Sequence, residues 1–228
     1  MVSNPAKVYI GTVIVSGTAI LTSALLHLDS KNPINFIIFL ALFTGAALFK
    51  GRIPGMTGTY TPVFFFVLVG SHVLSFSEVV LAAGLAGIVQ NTLLVQRKPA
   101  PIQVDFNAAN YMISSAAAFV FIHRELPGLA EQPLVLVLIL GSSVYYMVNT
   151  ALVSIVMTLI DGKRLSQVWR HWCLASLPYY MFGAVIASIT VSVPTQGSIW
   201  LVGMACPTIM LTTLYYRYWL RSLSLVKA

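Results

Sequence analysis

Long apolar runs alternate with short polar junctions along almost the whole chain. A membrane-crossing helix needs about 20 apolar residues, about 17 at the short end. By that measure helices are expected at 8–28, 34–49, 60–74, 78–95, 104–123, 134–160, 174–193 and 199–219. This is an all-α, polytopic bundle of about eight spans. The second and third runs are short, so a six-helix reading in which part of 34–74 re-enters the bilayer also stands. The stretch 50–110 organises the rest, because its short apolar runs are broken by junctions rich in Gly and Pro.

Several boundaries are written locally. Thr61 before Pro62 reads as an N-cap with proline at the first helical position, and Ser75 with Glu78 reads as a capping box. These signals predict a tightly turned helix pair over 60–95. Pro133 and Pro178 read as helix openers, Asp105 as an N-cap, and Pro207 as a kink within the last span. The segment LSQVWRHW at 165–172 reads as a short interfacial helix. Small residues four apart, Ala83 with Gly87, Ser114 with Ala118 and Gly183 with Ala187, would let helices approach closely.

Composition agrees with this pattern. The chain is 58% hydrophobic and 8% charged, with mean hydropathy +0.87, whereas soluble domains carry about 25% charged residues. An integral membrane protein is expected, one helical domain over 1–228. No polar stretch is long enough for a soluble domain of about 40 residues. The first apolar run has no small-residue cleavage signature and reads as a retained helix. With the N-terminus in the cytoplasm, eleven of the 13 Lys and Arg residues fall inside, and only Lys31 and Arg124 outside. The positive-inside rule therefore predicts both termini in the cytoplasm. The formal charge of +7 is then a topology signal and a contact for lipid headgroups, not a nucleic-acid footprint.

Candidate chemistry is sparse. Cys173 and Cys206 are not placed to form a disulfide. His27, His72, His123 and His171 stand apart without ligand spacing, so no metal site is expected. There is no nucleophile elbow, phosphate-binding Gly loop or pair of carboxylates at one depth, which argues against an enzyme. Polar side chains inside a bilayer are the remaining candidates. Gln90 and Asn91, Asn107 and Asn110, and Tyr145 with Asn149 form three polar faces predicted at the inner half of the membrane. They read either as an interhelical amide network or as a ligand pocket. In the junction KGRIPGMTGTY, Gly55 and Gly58 beside Lys50 and Arg52 read either as a tight turn or as a nest for an anion or lipid headgroup.

The ordered set K-x-x-x-P-G-x-x-G-T-Y from Lys50, L-S-x-x-E-x-V from Leu74, V-Q at Val89, Q-V-x-F-N from Gln103 and N-T-x-L-V from Asn149 resembles the multi-helix membrane region that precedes GGDEF or HD-GYP domains in bacterial signalling proteins. The resemblance covers most of the chain. It implies a noncatalytic sensory or small-molecule recognition module in the bacterial inner membrane, acting through a protein partner. Such regions continue into an output domain absent from this sequence, so no cyclic-dinucleotide chemistry is carried over. The Gly-marked loop and short helix are more faintly similar to the substrate-binding membrane subunits of energy-coupling-factor transporters. A subunit of a larger membrane assembly and a small-solute transporter subunit therefore stand as alternatives. The sequence names no cofactor, and the ligand implied is a small hydrophobic or polar molecule.

Overall fold

A computed structural model describes residues 3–52, 59–93, 95, 99–124, 133–162 and 164–192. Among these, seven helices follow in order: α1 Asn4–Leu26, α2 Pro33–Leu48, α3 Val63–Val73, α4 Phe76–Thr92, α5 Pro101–His123, α6 Leu134–Asp161 and α7 Leu165–Ser192. The eighth expected span, 199–219, and Pro207 lie outside the described residues. The fold is all-α apart from a two-residue antiparallel pair, in which β1 Gly51–Arg52 lies beside β2 Thr59–Tyr60 with Gly51 opposite Tyr60.

Helix ends follow the local chemistry of the chain. The Ser3 hydroxyl accepts the Ala6 N–H to open α1, and the Asn32 amide accepts the Asn35 N–H to open α2, each supplying an acceptor for a donor that the first turn leaves free. Gly162 closes α6 at φ 66°, a conformation glycine adopts without Cβ strain. The predicted capping box is present: the Glu78 N–H donates to Ser75 Oγ at 3.3 Å, and the Ser75 N–H donates to Glu78 Oε2 at 2.8 Å. Glu78 is 3% exposed, and its second oxygen accepts the Ser30 hydroxyl at 2.6 Å, tying the α1–α2 connection to the start of α4.

Only Leu74 and Ser75 separate α3 from α4, as the turn signals predicted. At about 1.5 Å per residue, α3 is only about 16 Å long, roughly half the hydrocarbon thickness. Every residue from Val63 to Ser71 is buried. The helix is a short plug enclosed by α2, α4, α5, α6 and α7. A half-length helix is tolerable at membrane depth only where protein surrounds it, because lipid offers no partner for its end groups.

Four local expectations are corrected. Thr61 does not cap α3; its hydroxyl bonds the Tyr111 hydroxyl at 2.9 Å, and Pro62 takes the cap position with no side-chain bond. Asp105 is not an N-cap, because α5 begins at Pro101 and the Gln103 side chain accepts the Ala100 N–H. LSQVWRHW is not a separate interfacial helix: it runs without a break into α7, with Pro178 inside that helix instead of at its start.

Burial is inverted relative to a soluble bundle. Val8, Val15 and Leu26 on α1 and Ile34 on α2 are 70%, 69%, 77% and 70% exposed respectively, while Ser114, Ser142 and Ser188 are fully buried. Buried hydroxyls are mostly satisfied, Ser188 by the Ala184 carbonyl of its own helix and Ser142 by Tyr180 O on α7. Ser115, Ser154 and Thr158 find no partner among the described residues. Polar side chains inward and aliphatic ones outward suit a bundle whose solvent is hydrocarbon. Among the described residues, α1 and α6 are long and apolar enough to cross a bilayer, whereas α2, α3 and the Ser176–Ser192 part of α7 are apolar but shorter.

Glycines set the closest approaches. A Cβ on Gly87 would meet Ala108 Cα on α5 at 2.8 Å, and one on Gly17 would meet Ala109 Cβ at 2.5 Å. Thus α5 is gripped between α4 and α1 at adjacent residues. Gly183 on α7 receives the edge of the Phe64 ring in the same way. Gly87 and Gly183 belong to the small-residue pairs expected to allow close packing.

Candidate functional site

A cavity of about 410 Å³ lies among α1, α3, α4, α5, α6 and α7. All six residues of the predicted polar cluster, Gln90, Asn91, Asn107, Asn110, Tyr145 and Asn149, line it. The sequence placed them on three helices. Tertiary packing brings them to one space.

Helical period explains the lining. On α5 the positions 102, 103, 106, 107, 110 and 111 form one stripe, and on α6 the positions 145, 149, 153, 156, 157 and 160 form another. Each stripe recurs at spacings of three and four residues, so one face of each helix looks into the cavity. Phe64 of α3 and Tyr180 of α7 close its inner end, with Phe64 and Tyr180 ring centroids 4.4 Å apart and Tyr145 6.2 Å from Tyr180.

Two polar systems meet here. In the first, Tyr111 stands between Thr61 and Gln90: its hydroxyl is 2.9 Å from Thr61 Oγ1 and donates to Gln90 Oε1. Lys50 Nζ donates at 2.8 Å to the backbone oxygen of Gln90, one of the last carbonyls of α4. A cation is well placed there, because the final carbonyls of a helix lack intrahelical donors and carry its negative dipole end. In the second system, Asn107 Nδ2 donates to Asn91 Oδ1 at 2.9 Å, and Asn91 Nδ2 donates to the Gly87 carbonyl at 2.7 Å. These amides fasten α4 to α5 beside the glycine contact.

The remaining polar groups are not used up. Asn110 is 3% exposed and accepts the Ser114 hydroxyl at 3.3 Å with its Oδ1, leaving its Nδ2 unpaired among the described residues. The Tyr145 hydroxyl and the Asn149 amide have no hydrogen-bond partner among the described residues, although Tyr145 is only 2% exposed. Buried polar groups are normally paired. Asn110, Tyr145 and Asn149 border the cavity, whereas the buried hydroxyls of Ser115, Ser154 and Thr158, partnerless among the described residues, lie outside its lining.

Thr61, Tyr111, Phe64 and Tyr180 were not among the predicted site residues. Tyr111 carried a signal, since it lies four residues after Asn107 on the same polar stripe. Thr61, Phe64 and Tyr180 carried none, because their approach depends on how α3 and α7 pack. In the other predicted group, Lys50 points to α4 as described. Gly55, Gly58 and the Arg52 side chain lie outside the described residues.

The histidines are separated. His27 Nδ1 lies 2.9 Å from Ser23 O on its own helix, and the His123 ring stacks on Phe119 with centroids 4.0 Å apart. No group of three His, Cys, Asp or Glu side chains able to hold a metal occurs among the described residues.

No curated protein and no solved structure is detectably similar to the chain. The model of one protein family, MASE9, matches residues 19–193, which takes in about the last third of α1 and everything from α2 through α7. With most of its length matched, the chain belongs to MASE9, a family of membrane-associated sensor domains.

Proposed function

We propose that the chain is a noncatalytic, multi-pass sensory module of the bacterial inner membrane whose cavity receives a small molecule and whose helices pass its occupancy to a protein partner. The observation that carries this reading is the set of polar groups without a partner among the described residues, Asn110 Nδ2, the Tyr145 hydroxyl and the Asn149 amide, gathered on one cavity of about 410 Å³. Desolvating such groups without partners is costly, and a ligand supplies partners. The lining comes from both ends of the chain's helical order, so a bound molecule would bias how α3 and α7 sit against α5 and α6.

Replacing Asn149 with leucine tests this. Leucine has similar bulk, and Asn149 gives up no hydrogen bond among the described residues, so unliganded stability is expected to change by less than one interhelical bond, about 0.6 kcal/mol. A ligand at a hundredfold excess over its Kd stabilises by about 2.7 kcal/mol. Small molecules extracted from the gently purified protein are therefore expected to raise the melting temperature of the wild type and to lose most of that effect on Asn149→Leu. Equal stabilisation of both proteins would reject the polar cavity as the receiving site.

The proposed orientation has both termini, and the connection between α6 and α7, in the cytoplasm, supported by the eleven-to-two division of Lys and Arg. A cysteine at Arg164, in a background lacking Cys173 and Cys206, is expected to react with an impermeant thiol reagent only after cells are opened. Labelling in intact cells would reverse the topology.

A further inference from the structure

The polarity of the cavity changes along its length. At one end are Asn110, Tyr145 and Asn149, with polar groups that have no partner among the described residues, walled by the Phe64 and Tyr180 rings. Moving toward the end of α6, the lining becomes Val153, Val156, Met157 and Ile160, faced by Ile10 of α1 and by Ile102 and Phe106 of α5. From Asn149 to Ile160 this wall extends about 16 Å at 1.5 Å per residue. The polar side chains of that half already have work to do: Gln103 accepts the Ala100 N–H, and Asn91 and Asn107 bind each other. Asp, Glu, Lys and Arg are absent from the described lining. A charged ligand would be desolvated there without a counterion, whereas an uncharged one would not.

We propose that the cavity binds an uncharged amphiphile, with a planar hydrogen-bonding headgroup between Tyr145, Asn149 and Asn110 and an apolar tail laid along the Val153 to Ile160 wall. With Asn110 Oδ1 taken by the Ser114 hydroxyl, the headgroup offers an acceptor to Asn110 Nδ2. It meets donor and acceptor capacity together at Tyr145 and Asn149. The aromatic walls favour a flat ring. This inference rests on the sensory reading above and names the ligand class of the same cavity.

The test uses the full chain in phosphatidylcholine nanodiscs, melted with three probes at matched bilayer concentrations: decyl 4-hydroxybenzoate, its methyl ester, and the anion 4-decyloxybenzoate. The decyl ester is expected to raise the wild-type melting temperature by several degrees, with most of the shift lost for the other two. Val156→Trp, which fills the apolar half, is expected to abolish the decyl ester's effect. Equal shifts by the methyl ester would overturn the tail, and equal shifts by the anion would overturn the uncharged head. Equal decyl shifts in wild type and Val156→Trp would show a bilayer effect and sink the proposal, and the comparison of tail lengths in the wild type decides the matter if that variant does not fold. If none of the three probes stabilises the wild type, the proposed class is wrong. In that case the co-purified extract tested on Asn149→Leu still decides the sensory reading separately.

Discussion

Replacing Gly17 with leucine is expected to drive α1 away from α5 and to cost about 3 kcal/mol, the upper part of the usual range for overpacking. A Cβ at this position would meet Ala109 Cβ at 2.5 Å and Ala109 Cα at 2.7 Å, so the first added carbon already clashes with backbone that cannot rotate away. Gly11 lies on the same helix with nothing within 4 Å of its would-be Cβ. Gly11→Leu is therefore expected to be neutral or stabilising by up to about 1 kcal/mol, from helix propensity alone. Thermal unfolding of both variants in one lipid composition checks the pair. Equal losses would mean that the α1–α5 seam is not a close contact. Because α5 turns Ala108 and Ala109 toward its neighbours and Asn107, Asn110 and Tyr111 toward the cavity, loosening this seam should also weaken binding at the cavity.

Phe64→Ala is expected to cost about 2–3 kcal/mol, the second large effect. The ring is 3% exposed, contacts Tyr145, Tyr179 and Tyr180, and fits against Gly183. In water the loss for a buried phenylalanine is about 3–5 kcal/mol, combining transfer and cavity terms. Within a bilayer the surroundings are as apolar as the core, so the transfer term shrinks and lost packing remains. Adding Gly183→Val to Phe64→Ala should recover part of the stability by filling the space from α7, while Gly183→Val alone should destabilise because its side chain meets the intact ring. Melting curves of the four proteins of this cycle give the coupling directly. Additive effects would show that Phe64 and Gly183 do not share one packing site.

Both effects arise where sequence gives only a hint. Gly87 and Gly183 stood out because small residues recur four positions away, but Gly17 has no such companion in the expected pairs. Its role depends on α5 lying across it. The same division holds at the polar site. The faces carrying Asn107 with Asn110 and Tyr145 with Asn149 follow from helical period alone, since residues three or four apart share a face. That Gln90, Tyr111 and Thr61 form a chain of hydrogen bonds does not, because Thr61 arrives from a segment 50 residues earlier than Tyr111.

Local rules also failed where a distant partner competed. Thr61 had the position of an N-cap, yet its hydroxyl is taken by Tyr111, and α3 begins without a side-chain cap. Pro178 had the character of a helix opener, yet α7 continues through it from Leu165, as neighbouring helices can satisfy freed backbone groups in an apolar bundle. The Ser75–Glu78 box survived because its two bonds lie within four residues and need nothing from elsewhere.

By itself the sequence determined the all-helical membrane character, the turn at Leu74 and Ser75, and which polar residues share a helix face, because hydropathy, capping and the 3.6-residue period are properties of neighbouring residues. Only the tertiary structure decided that α3 is a buried half-length plug, that the three polar faces converge on one cavity, and that some of their groups have no partner there among the described residues. Those outcomes depend on which helices approach within van der Waals contact, and that is set by side chains far apart in the chain.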